Sequence, residues 1–177
     1  MTDFNKNSSA ILSELAAVMD GVDGADAERL ASAIASAGAV FTAGCGRSGL
    51  MAKAFAMRLM HLGCRAYVVG ETTAPAIGRG DLLIVCSGKG EKRSLIWFME
   101  DSAKAGARCA AVTAAPASPV ARLAETVVVL PAAGTRQFGG SLFEQALLIF
   151  FDSLVIRLAE LRGATHAQMA ARHANLE

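Results

Sequence analysis

Five short runs of β-branched and apolar residues recur along the chain with room for a helix between most of them, and this alternation limits the fold more than any other feature. Alternating strand and helix signals build βαβ units, in which the strands lie parallel and the helices cover the sheet. Strands are expected near Ala39–Ala43, Arg65–Val69, Leu82–Cys86, Cys109–Thr113 and Thr126–Leu130. Between them, Ser48–Leu62 carries Leu50, Ala54, Met57 and Met60 at helical spacing, and Ser94–Ala105 forms a second helix ended by Gly106. A weaker helix follows Pro119. Ahead of the sheet, Ser9–Met19 and Ala25–Ala37 have helical periodicity and are joined by the turn GVDGAD. After it comes a long helix over Ser141–Leu161, interrupted by Gly163 and followed by a short one over Thr165–Arg172. The expectation is a single α/β domain over 1–177, with a helical preface (1–37), an α/β core (38–163) and a C-terminal helix and tail (164–177).

Composition narrows the function classes. The chain is 53% hydrophobic and 19% charged, which excludes disorder and leaves more apolar material than one domain of 177 residues needs. A membrane-spanning helix needs about 20 mostly apolar residues. The run Ala146–Phe151 is closed after six by Asp152, so no membrane association is expected. The start, MTDFNKNSSAIL, lacks a basic segment followed by an apolar core, and the expected location is cytoplasmic. The apolar surplus is assigned to subunit interfaces, because obligate interfaces resemble a core cut in half. Lys and Arg total 17 against 16 Asp and Glu, so no field exists to gather nucleic acid and any anionic ligand must be met locally. Cys45, Cys64, Cys86 and Cys109 form no C-x-x-C pair and no Cys/His cluster, so no metal is expected and the thiols serve as small hydrophobes.

Two loops carry the chemistry. Gly44-Cys45-Gly46-Arg47-Ser48-Gly49 joins the first strand to a helix, where glycines allow close backbone approach and the helix start favours an anion. Followed by Glu71, it superficially matches a dinucleotide fingerprint. The second loop, Ser87-Gly88-Lys89-Gly90-Glu91-Lys92-Arg93-Ser94, follows the third strand and also runs into a helix. Two such loops beyond neighbouring strands form one concave phosphate site, which a dehydrogenase would leave unexplained. No Walker loop occurs. Glu144 follows the segment GTRQFGGS in the first turn of a long apolar helix. It is either a general base or the second half of a capping box begun by Ser141, and spacing alone does not separate these.

At this point the sequence becomes recognisable. GCGRSG followed by SGKGE resembles the two phosphate-loop motifs of the sugar isomerase (SIS) domain. The stretches AKAFAMRLMHLG (52–63), VGETTAPAIGRGDLLI (69–84), SLFE (141–144) and RHANLE (172–177) are similar to the 6-phospho-3-hexuloisomerase family, over nearly the whole chain from about Ile11. The resemblance implies a doubly wound five-stranded parallel sheet of flavodoxin-like order and assembly into dimers or tetramers with active sites at subunit interfaces. It also implies reversible conversion of D-arabino-hex-3-ulose 6-phosphate to D-fructose 6-phosphate without a cofactor, in formaldehyde assimilation through the ribulose monophosphate pathway. By the same resemblance Glu144 and His173 are catalytic, and Gly46, Arg47, Ser48, Ser87, Gly88, Lys89, Gly90, Glu91 and Lys92 bind the substrate and its phosphate; Thr72, which follows the second strand, is placed to line the sugar pocket. The family's second loop usually reads S-G-S-G-E-T, so Lys89 and Lys92 here replace two hydroxyls with two cations. Two other readings stay open: an isomerase of the same fold acting on another sugar phosphate, such as a pentose 5-phosphate, and a non-catalytic sugar-phosphate-binding module.

Overall fold

The computed structural model describes residues 2–176, so Glu177, the last residue of the RHANLE ending, lies outside it. The elements run α1 (Asp3–Asp20), α2 (Gly24–Ala35), β1 (Val40–Gly44), α3 (Gly46–His61), β2 (Ala66–Val68), β3 (Leu82–Cys86), α4 (Arg93–Lys104), β4 (Arg108–Thr113), α5 (Pro119–Leu123), β5 (Thr126–Val129), α6 (Ser141–Arg162) and α7 (His166–Ala170). The five strands are all parallel, in the order β2-β1-β3-β4-β5. The central strand β3 is LLIVC and is buried throughout, as a strand covered on both faces must be.

One face of the sheet packs against α3, α6 and both N-terminal helices, with Phe55, Leu59, Phe143, Leu147 and Phe151 sharing a core with Leu15, Val18, Leu30 and Ile34. The rings of Phe55 and Phe151 stack with centroids 3.9 Å apart, clamping α3 to α6. The other face packs against α4 and α5 through Leu95, Met99 and Val120. The first two helices therefore contribute to the main core rather than standing ahead of it. Helix α1 begins six residues before its expected start because Asp3–Ser8 is polar apart from an exposed Phe4 and so lacks apolar periodicity. Its start is set by Thr2, whose Oγ1 accepts from the Asn5 N–H at 3.3 Å.

The strand order reverses between β1 and β3, and the register sets Gly44 beside Cys86. The loops that follow these two strands thus leave the sheet side by side, at the crevice where open α/β sheets bind ligands.

Candidate active site

The first loop is shaped by contact rather than by a ligand. A Cβ on Gly49 would lie 2.6 Å from the Gly44 carbonyl oxygen, and one on Gly44 would lie 2.9 Å from Gly49 Cα. These two glycines let α3 start directly against β1, which accounts for the third glycine of the apparent dinucleotide pattern. Gly46 has φ of +57° and turns the chain into the helix. The second loop is stitched to its neighbours. Ser87 N–H donates to Val112 O at 3.0 Å, Thr113 Oγ1 to Gly88 O at 3.2 Å, and Val120 N–H to Gly90 O at 3.1 Å. Within the loop, Gly90 N–H donates to Ser87 Oγ at 3.1 Å. Gly90 has φ of +64°, and a Cβ there would lie 2.1 Å from Ser118 Oγ.

Between the loops lies a cleft of about 470 Å³, within the usual range for a small-molecule site. Cys45 and Ser48 line it from the first loop, Ser87, Gly88, Lys89, Glu91 and Lys92 from the second, Gly140 and Phe143 from the start of α6, and Cys86 from the end of β3. Helices α3, α4 and α6 all begin here, and none has a side-chain cap. Three uncapped helix starts add their unpaired N–H groups and positive dipole ends to the ammonium groups of Lys89 and Lys92, so the cleft favours an anion. A second hollow of about 350 Å³ is lined by Phe41, Val69, Pro75, Trp97 and Phe98, and its charged groups are the acids Glu71 and Asp101. That lining is wrong for phosphate.

Glu144 stands beside the cleft and is 6% exposed. The capping-box alternative does not hold: Gly140 is the N-cap of α6, and Ser141 Oγ donates to Phe138 O at 2.8 Å while accepting from Arg47 Nη1 at 3.0 Å. Arg47 Nε lies 2.7 Å from Glu144 Oε1. That N–H is not aligned with the oxygen, so Oε1 is held by charge and has no directed hydrogen bond. With Oε1 sealed against Arg47, the carboxylate can meet a bound molecule only through Oε2. The loop entering α6 is tied to α1 through Glu14, which accepts from Thr135 Oγ1 at 2.7 Å and Gln137 Nε2 at 3.1 Å. These bonds hold the Glu14 carboxyl below its ordinary value.

Not every expected residue is in the cleft. Arg47, Gly46 and Gly90 shape or flank it without lining it. Thr72 is exposed and outside it, in the loop that follows the edge strand β2. His173 is at the opposite end of α3, where its ring stacks on that of buried His61 with centroids 5.1 Å apart. Arg172 holds the tail there, donating to His61 O and Gln168 O at 3.1 Å each. Since α3 has 16 residues, His61 is about 22 Å along the axis from the helix start beside Glu144. Sequence reading missed Gly140 and Phe143, which follow a glycine pair and open an apolar run and so give no polar signal. It gave Cys45 no part in the site, although its Sγ lies 3.7 Å from Ser94 Oγ and bridges the two loops. The Cys86 thiol is pushed up by burial and stays protonated. Among the described residues no three His, Cys, Asp or Glu side chains are grouped to hold a metal, and no helix is long and apolar enough to cross a membrane.

Comparison with known proteins agrees with this architecture. The SIS domain model matches residues 33–157. A 3-hexulose-6-phosphate isomerase from Mycobacterium gastri is 43% identical, covering 99% of this chain and 92% of its own. One from Bacillus subtilis strain 168 is 41% identical, covering 94% and 95%. A crystal structure from Methanococcus jannaschii, described as inferring a 3-hexulose-6-phosphate isomerase function, superposes with a TM-score of 0.89 at 28% identity, covering 97% of this chain and 99% of its own. With the family model over most of its length and such relatives across nearly all of it, the chain belongs to the SIS domain family and, within it, to the 6-phospho-3-hexuloisomerases.

Proposed function

We propose that this protein interconverts D-arabino-hex-3-ulose 6-phosphate and D-fructose 6-phosphate. The observation that carries the substrate assignment is near-full-length identity of 43% and 41% to proteins named for that activity. The chemistry suits the cleft. Moving the carbonyl from C3 to C2 takes the proton from C2, passes through a 2,3-enediolate, and returns a proton to C3. In our reading Glu144 takes the C2 proton, which exchanges with solvent on the carboxyl, and returns a proton to C3, while the O2 hydroxyl gives up its proton and O3 gains one; Arg47 and the uncapped helix starts stabilise the enediolate oxygens. Phosphate is held by Ser48, Ser87 and the backbone of Gly88 and Gly90, with Lys89 and Lys92 as point charges and Glu91 at the rim. The reaction needs no cofactor, and the protein works in the cytoplasm, in formaldehyde assimilation.

The site is completed in an oligomer, a dimer or tetramer. His173 in its own chain is bound to the far end of α3, so it serves the cleft of a neighbouring subunit. The test is conversion of hex-3-ulose 6-phosphate followed by enzymatic detection of fructose 6-phosphate, with a complementation arm. Chains lacking residues 172–177 and Glu144→Gln chains are each expected to be inactive, and mixed oligomers to regain activity. Turnover of a pentose 5-phosphate in preference to the hexulose would overturn the substrate, and inactive but demonstrably mixed oligomers would overturn the shared site.

A further inference from the structure

One side chain of α1 reaches the loop that enters α6. Glu14 precedes Leu15, which is buried in the core that α1 shares with Phe143 and Leu147, so its carboxylate projects from backbone fixed by packing. Oε2 accepts from Thr135 Oγ1 at 2.7 Å and from Gln137 Nε2 at 3.1 Å. Thr135 Oγ1 in turn accepts from the Gln137 N–H at 3.0 Å and closes the segment on itself. The N–H and the charge of Arg136 also favour the ionised carboxylate, so one group gathers three consecutive residues. The gathered segment lies between two glycines in the left-handed region, Gly134 with φ of +70° and Gly139 with φ of +66°. Phe138, between them, is 94% exposed, so its ring does not fix the segment and hydrogen bonds must.

The same segment is joined to the carboxylate beside the cleft. Phe138 O accepts from Ser141 Oγ at 2.8 Å, Ser141 Oγ accepts from Arg47 Nη1 at 3.0 Å, and Arg47 Nε lies 2.7 Å from Glu144 Oε1. Contacts therefore run without a gap from Glu14 through the loop, Ser141 and Arg47 to Glu144. The Arg47 side chain is long and 61% exposed, and Ser141 and Glu144 are the two groups that set its place. If the Phe138 carbonyl moves, the Ser141 hydroxyl turns with it and Arg47 loses one of the two. A displaced guanidinium lets the carboxylate rotate, and with it the Oε2 that must meet a bound molecule. Proton transfer needs that oxygen within hydrogen-bond reach of the reacting carbon's proton.

We infer that Glu14 is a positioning residue for the isomerisation, which from α1 sets the loop entering α6 and, through Ser141 and Arg47, the orientation of Glu144. The inference rests on the reading of Glu144 given above as the group that moves the proton.

Steady-state kinetics of the intact protein test it, on Glu14→Ala, Thr135→Val, Ser141→Ala and the Glu14→Ala/Ser141→Ala double variant, each with circular dichroism and thermal unfolding. Thr135→Val cuts the same tie from the loop side, outside the core, and takes the place of Glu14→Ala in the single and double variants if that chain does not fold. Each single variant should lower kcat by roughly 10- to 100-fold with KM little changed, because Ser48 and Ser87, assigned to the phosphate, stand on other loops. The double variant should be no slower than the slower single one, since both changes cut one path. A merely structural tie would lower the unfolding temperature and leave kcat of the folded protein untouched. Wild-type kcat in folded Glu14→Ala and Thr135→Val chains overturns the inference. Losses that multiply in the double variant also overturn it, because they put the effect of Glu14 outside the path through Ser141. The two readings fail separately. Slow turnover in Glu144→Gln with wild-type kcat in Glu14→Ala keeps the proton carrier and discards the positioning. Normal turnover in Glu144→Gln, with slow Glu14→Ala and no further loss in the double variant, keeps Glu14 as the residue that positions Arg47 and discards Glu144 as the base.

Discussion

The second loop owes its shape to one glycine, and replacing it gives a quantitative test of how the cleft is built. Gly90 has φ of +64°, where an alanine costs roughly 1–2 kcal/mol. Its new Cβ would lie 2.1 Å from Ser118 Oγ and 2.5 Å from Ser118 Cβ, an overlap that must be relieved by shifting the loop or α5, at about 1–3 kcal/mol. Gly90→Ala should therefore destabilise by roughly 2–5 kcal/mol in total. Ser118→Gly removes both obstructing atoms and, since Ser118 is the N-cap of α5, costs only a few tenths of a kcal/mol by itself. The double variant should recover the overlap and retain the backbone cost, a coupling of about 1–3 kcal/mol. Urea unfolding followed by circular dichroism at one fixed protomer concentration measures the three stabilities, and KM for fructose 6-phosphate reports the loop. KM should rise in Gly90→Ala and return towards normal in the double variant, because Ser87 is bonded to Gly90 and moves with it. Additive costs, or an unchanged KM in Gly90→Ala, would refute the reasoning.

Other expectations concern the cleft directly. Ser48→Ala and Ser87→Ala should mainly raise KM, by roughly 10-fold or more for each hydroxyl bonded to a charged phosphate, while Glu144→Gln should lower kcat by roughly 100-fold or more with KM little changed. If Lys89 and Lys92 act as point charges, KM should rise with added salt, and the slope should flatten in Lys89→Ala and Lys92→Ala; equal slopes in all three proteins would remove both lysines from the site. Cys45 should be the first thiol to react with a disulfide reagent at pH 8, since it is exposed, while burial pushes Cys109 to about 11 and also raises Cys64 and Cys86. Fructose 6-phosphate should slow that reaction, and undiminished labelling at saturating ligand would place the sugar phosphate elsewhere.

Strands were legible because their signal is local. Leu82–Cys86 has the same bounds in sequence and structure, and the others agree to within a residue at every end, since buried parallel strands read as short apolar runs. The first turns of α1 were not legible, because a helix end held by Thr2 and exposed to water shows no apolar periodicity. The two loops of the cleft could be read from their glycines and their position after β1 and β3. The partner of Glu144 could not, because Ser141 and Glu144 match a cap pattern and only the approach of Arg47 from another helix shows that the carboxylate is engaged otherwise. Thr72 and His173 mark the same limit. Each lies in a stretch similar to the family, yet folding of one chain carries Thr72 outside the cleft and His173 to the far end of α3.

The fate of the migrating proton tests the central claim most directly. Hex-3-ulose 6-phosphate is converted in D₂O with excess enzyme, and the product is read by NMR before and after replacement of Glu144 by Gln. The account predicts fructose 6-phosphate carrying solvent deuterium at C3 and none at C1, with formation slowed roughly 100-fold or more in the variant. Deuterium at C1 would mean a 1,2-enediol and an aldose–ketose isomerase, and normal turnover in Glu144→Gln would mean that the proton is moved by another group.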